Sequence, residues 1–159
     1  MSHDNSQVGA FDFLEGRWTI KNRRLRARWV GSEDWELFDG EATCKTVLGG
    51  LGSIEELSIP VGQPLGLGIR LLDTERGEWS DHWVGRGSGV IAPTPMWGGF
   101  ADGVGTFIAT DDRDGDIAIW SRGVWDRITP TSCRWHQAFS RDAGRTWEHN
   151  WFMDWTRVD

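Results

Sequence analysis

Along most of this chain apolar and polar residues alternate, and a period of two marks strands with one dry and one wet face. The clearest case lies near the C-terminal end. Trp147, His149, Trp151, Met153 and Trp155 share one parity, against Glu148, Asn150, Asp154 and Thr156. The segment before it alternates in the same way, with Trp135, Gln137 and Phe139 against Arg134, His136 and Ala138. Ser140 to Thr146 supply turn chemistry between the two. The pattern predicts a hairpin with heavy aromatics on one side, suited to the wall of a cavity as well as to a packed core.

Read the same way, the rest of the chain gives about nine strands. Gln7–Glu15 is the one helical segment: Phe11 and Leu14 are three apart and Gly16 is a stop signal. At about two turns it needs packing to be stable. The strands are Arg17–Trp29, Trp35–Leu48, Ile54–Ile59, Leu65–Leu72, Trp79–Val84, Gly99–Ala109, Asp116–Arg127, Ser132–Ser140 and Thr146–Arg157. A parity change at Arg23 and Arg24 predicts a bulge in the first, and a second irregularity is expected near Phe38. Gly31–Asp34, Asp73–Gly77 and Asp111–Gly115 read as turns, Val61–Pro64 as a loop, and Gly85–Trp97 as a loop or short edge strand. Short turns between successive strands describe an up-and-down meander. Such a sheet removes its edges most simply by closing into a barrel, and eight to ten strands leave an interior that is either filled or a small-ligand cavity. A two-sheet sandwich is the rival architecture.

Several stretches resemble a bacterial family of lipocalin-like, calycin-type domains of unassigned function. They are Phe11 to Trp18 (FDFLEGRW), Asn22 to Leu25 (NRRL), Trp79 to Trp83 (WSDHW) and Gly99 to Phe107 (GFADGVGTF). The likeness closes with Trp135 to Ser140 (WHQAFS), Asp142, Gly144, Thr146-Trp147 and Asn150-Trp151. It spans nearly the whole chain. Gly16-Arg17-Trp18 is similar to the G-x-W that opens a lipocalin after its N-terminal helix. The chain departs from the family at Ala143-Gly144, where two glycines are expected, and at His136, often acidic there. The resemblance implies a β-barrel with a cavity and no particular substrate.

Composition narrows the field. The 159 residues fit one domain over 1–159, with Met1–Gln7 as a loose tail. Net charge is −7, which disfavours nucleic acid and anionic membranes as partners. No apolar run reaches a membrane span. Cys44 and Cys133 match no metal spacing and suit a reducing cytoplasm, although a disulfide between them stays open. The four histidines form no metal motif, and Gly85-x-Gly87-x-Gly89 has no following helix to make a dinucleotide site. No metal or cofactor is therefore expected.

With 12 Trp and 7 Phe, aromatic residues exceed what packing requires. The expected site is a cavity for a small apolar or aromatic molecule, walled by Trp18, Trp79, Trp83, Trp135 and Trp151. Asn22, Arg24, Arg122 and Gln137 would anchor its polar groups. Asp81 lies between Trp79 and Trp83; carried inward, it needs a raised pKa or a cation, with Arg122 or Arg24 as the expected partner. His149 is expected close to Gln137 on the aromatic face. The alternative to binding is a cofactor-free isomerase, cyclase or hydratase using Asp81 or His149 as acid or base. Structural readings run alongside both: a buried ion pair at Asp81, a polar pair at Gln137 and His149, and a filled aromatic core. Glu55 and Glu56 are strand neighbours, face opposite ways and make no carboxylate pair. Trp29 and Trp125 are expected outside, where they would favour a homodimer.

Overall fold

A computed structural model describes residues 6–59 and 64–158. It is a closed antiparallel barrel of ten strands in up-and-down order, each paired to its chain neighbours and β1 to β10. The strands are β1 (Gly16–Leu25), β2 (Trp35–Val47), β3 (Gly52–Ser58), β4 (Pro64–Asp73) and β5 (Glu78–Gly85). They continue with β6 (Met96–Ala101), β7 (Val104–Asp114), β8 (Ile117–Asp126), β9 (Ser132–Ser140) and β10 (Glu148–Arg157). No described helix is long and apolar enough to cross a membrane.

The alternation expected from the sequence sets the inner face. Trp18, Ile20 and Asn22 of β1 point in, as do Ala42 and Cys44 of β2, and Met153 and Trp155 of β10, all buried. On β4 the inward parity is Gly66, Gly68 and Arg70, so Leu67, Ile69 and Leu71 face outward. Both cysteines are buried free thiols. Burial raises the pKa of Cys44, and that of Cys133 to about 12.

The two ends differ. At one end the connections are tight and the N-terminal segment forms a plug. It is not the two-turn helix expected over Gln7–Glu15: it runs through turns into a single 3-10 turn, Asp12–Leu14. Gly9, in the left-handed region at φ 74°, cannot continue an α-helix favourably, and its N–H donates to the Gly50 carbonyl. Phe11 packs edge-on against Trp79 and Phe100, and Leu14 is fully buried. Trp18 Nε1 donates to the Leu14 carbonyl at 2.8 Å, and Arg157 donates to the carbonyls of Phe13 and Glu15. Gln7, expected in the loose tail, is anchored by two hydrogen bonds with the Phe100 backbone; Met1–Asn5 lie outside the described residues. The opposite end carries the longer connections over 26–34, 86–95 and 141–147. Of the loop expected at Val61–Pro64, Pro64 begins β4 and 61–63 lie outside the described residues.

Several expected boundaries shift for local reasons. Gly99–Ala109 is not one strand. Asp102 and Gly103, both at positive φ, turn the chain back within it, the Asp-Gly pair that two-residue hairpins favour. The turn expected at Asp111–Gly115 tightens to Gly115-Asp116, and a bulge between Ala109 and Asp112 takes up the difference. β1 ends at Leu25 rather than Trp29, and its pairing with β2 is regular, without the bulges expected at Arg23–Arg24 and Phe38. Trp125, expected outside, is 1% exposed and packs at 5.2 Å from Trp155 in the core. Trp29 is half-buried on the outer rim, its Nε1 donating to Asp114.

Gly98 sits where β6 and β7 approach too closely for a side chain, because a Cβ there would run into the Thr106 carbonyl. Gly98→Ala is expected to cost at least about 1–3 kcal/mol, as overpacking does, measured as the shift in urea midpoint.

Candidate functional site

The interior holds a cavity of about 280 Å³. Its walls include Leu57, Trp83, Met96, Trp125, Trp135, Trp151, Met153 and Trp155; its polar groups are Glu55, Arg70, Asp81, Asp112 and Gln137. Ala92, Pro93 and Thr94 close one side. They are placed by the Ala92 N–H, which donates to the Trp83 carbonyl at 2.8 Å. Beyond Asp81 the β5–β6 ladder stops, since only Trp79, Ser80 and Asp81 find partners on β6. The 92–94 segment covers the gap this leaves.

The polar floor is built by register. The Asp73–Glu78 turn pairs β4 with β5 so that Arg70 lies opposite Asp81, and β3 sets Glu55 opposite Gly68, diagonal to Arg70. Gly68 has no side chain to separate them. Arg70 Nη2 donates to Glu55 Oε1 at 2.5 Å, and Arg70 Nε stands 3.9 Å from Asp81 Oδ1, an ion pair beyond hydrogen-bond reach. Arg70 is 3% exposed and Glu55 5%. The guanidinium carbon lies 5.0 Å from the Phe11 ring and 5.3 Å from Trp125, so the plug itself forms the bed on which the charge rests. The Asp81 side chain keeps 21% of its surface open. Burial pushes its pKa up to about 6; Arg70 opposes that rise and Glu55 adds to it.

Four N–H-bearing atoms around this floor have no acceptor within the protein: Nε and Nη1 of Arg70, Nε1 of Trp125 and Nε1 of Trp155. A buried donor left so costs about 1–3 kcal/mol.

The sequence-predicted residues divide cleanly. Asp81, Trp83, Trp135, Gln137 and Trp151 line the cavity. Arg24 borders a second, more polar pocket at the barrel mouth that shares Gln137 and Trp151 with the first. It bonds Glu36 and stacks on Phe38 and Trp151, so it is not the partner of Asp81. Asn22 is buried behind the wall, where its Oδ1 accepts from Trp151 Nε1 at 3.0 Å and fixes that ring. Trp18 and Trp79 belong to the plug-side core, not to the lining.

Two expectations fail on facing. Arg122 points outward and stacks on Trp147 at 4.3 Å, so it cannot neutralise Asp81. His149 is also outside. A bulge between His149 and Trp151 inserts Asn150 as an extra residue, which reverses the parity of everything before it. Hence Trp151, Met153 and Trp155 face in, whereas His149 stacks on Phe152 and lies tilted against His136 on the outer surface. Gln137 bonds Asn150 Oδ1 at 2.8 Å instead of His149. Outside, His136 lies 3.2 Å from Asp126, and burial lowers the pKa of both histidines. Glu55, Arg70, Trp125 and Trp155 were missed as site residues. The signal for Arg70 was the tight turn itself, which dictates the 70–81 pairing.

No family model matches the chain, and no curated protein matches it.

Removing one partner from a buried ion group strands the other charges. Arg70→Met is expected to cost about 3–5 kcal/mol of unfolding free energy at neutral pH, read by urea denaturation. The raised pKa of Asp81 has the opposite sign from that of a salt-bridged carboxylate. The native state binds the extra proton, so this stabilising contribution is complete below about 3.8 and is lost as pH rises through about 6. Asp81→Asn should therefore gain stability relative to the parent chain between pH 4 and pH 7; a difference flat across that range would refute the shift.

Proposed function

We propose that this barrel binds a small, largely apolar or aromatic molecule in its interior, as a lipocalin-like domain does. The observation that carries the reading is the cavity: aromatic and thioether walls around a few convergent polar groups, plugged at one end and bordered by loops at the other. Indole faces stack on flat apolar ligands, and Trp135 and Trp151 meet edge-to-face at 5.9 Å, giving two perpendicular faces in one wall.

One observation favours a second reading. Asp81 is a part-open carboxyl with its pKa brought to about 6, in contact with a ligand-sized space and beside a fixed guanidinium. Such a group can both give and take a proton near neutrality. A cofactor-free isomerisation, cyclisation or hydration of the bound molecule would use Asp81 as acid or base and Arg70 to hold developing negative charge. His149 has no part in it.

The uncharged dye N-phenylnaphthylamine tests the binding reading. We expect saturable emission enhancement with about one site per chain. Met96→Trp should abolish it with the far-ultraviolet spectrum unchanged, because the larger side chain fills the cavity from β6, away from the Glu55–Arg70 pair. Dye binding that survives this filling would place the dye elsewhere and remove the main support for the proposal.

A further inference from the structure

The side chains around the cavity carry unequal charge. Three carboxylates line it, Glu55, Asp81 and Asp112, against the single guanidinium of Arg70, and no other cationic side chain does so among the described residues. Exposure widens the imbalance. Arg70 is almost wholly buried and bonded to Glu55, whereas the Asp81 side chain keeps 21% of its surface open, beyond hydrogen-bond reach of the guanidinium. Asp112 is turned inward by the bulge after Ala109, which sets it opposite the buried Ile119 toward the mouth end of β7. A molecule in this space meets carboxylate oxygen and indole rings, with the guanidinium behind them. We propose that the ligand is an aromatic molecule bearing a cationic nitrogen, its charge held by the Asp81 carboxylate and its rings by the indole walls. This rests on the reading of the cavity as a binding site.

Electrostatics set the sign of the ligand. An anion would join three carboxylates around one guanidinium in a poorly solvated space, where like charges repel strongly. A cation relieves that excess, and its approach is favoured by the net charge of −7 on the chain. The arginines at the mouth do not reverse the balance, because each is matched by an acid: Arg24 by Glu36, Arg26 by Asp34 and Arg28 by Asp114. The walls favour the same sign. The face of an indole is the negative side of its quadrupole and attracts cations. Trp151 has its N–H taken by Asn22, so its ring is what it offers the cavity. An Asp81 pKa raised by burial to about 6 marks a carboxylate short of positive charge. A neutral molecule of equal shape gains the same contact area and leaves that shortage in place.

The test uses three probes on one bicyclic skeleton: 1-naphthylmethylamine, a cation at neutral pH, 1-naphthylmethanol, uncharged, and 1-naphthoate, an anion. Each is titrated calorimetrically into the intact chain at neutral pH. The amine is expected to bind at least about tenfold more tightly than the alcohol, the size of one hydrogen bond between charged groups, with the naphthoate weakest. Asp81→Asn should bring amine affinity down to that of the alcohol and leave alcohol affinity nearly unchanged. The Asp81 carboxyl carbon, followed by NMR in the parent chain, should titrate at lower pH with the amine bound and at an unmoved pH with the alcohol bound, a readout that stands if Asp81→Asn fails to fold. Equal affinities for amine and alcohol overturn the proposal while the cavity reading survives. So does a preference for the naphthoate, an amine preference that persists in Asp81→Asn, or an Asp81 titration that the amine leaves in place. Failure of all three probes to bind removes both.

Discussion

A permanently charged guanidinium sits at the centre of this barrel, and the interior is organised around keeping it there. Arg70 cannot lose its proton, so its burial demands anions and polarisable faces on every side that water has left. Glu55 supplies one anion directly and Asp81 a second at longer range, while Phe11 and Trp125 supply the faces. Four separate parts of the chain are thus committed to one side chain: the plug, the β3–β4 pair, β5 and β8. Gly68 next to it is needed for the same reason, since space must remain for Glu55 to reach across.

That arrangement joins stability to chemistry. The plug is both a stopper for the core and one wall of the charge site, so the closed end is not free to breathe without exposing Arg70. The other end is under no such constraint. There the ladder between β5 and β6 gives out, Trp83 lies over Gly66 where a larger residue would collide with it, and a looped segment leans over the gap. A packed floor and a gapped rim are compatible with the binding proposed above.

How much of this could be read from the chain depends on what fixed each feature. The up-and-down barrel was legible because alternation and turn residues are local signals, and on that basis Trp135, Gln137 and Trp151 of the last hairpin were legible as lining residues. Facing was lost wherever an extra residue broke the period. Asn150 is such a residue, and it sent His149 outside although its parity matched Trp151. Trp125 was misplaced for a different reason: bulk alone does not say inside or outside, and its inward position follows from pairing with Trp135 across β8 and β9. For Asp81, three arginines, Arg24, Arg70 and Arg122, are available as partners in the sequence, and only the register set by the Asp73–Gly77 turn singles out Arg70. Glu55 and Glu56 face opposite ways, and the neighbour of Glu55 is visible only once β3 and β4 are in register.

The two thiols carry a practical consequence. Cys44 and Cys133 are enclosed and their acidity is suppressed, so in the folded state neither offers the thiolate on which alkylation depends. The folded chain is therefore expected to react slowly with maleimides. A cysteine introduced on the 86–95 rim would then be the accessible thiol, and a label placed there would report on the surroundings of the mouth without any need to strip out the natural sulfur atoms first.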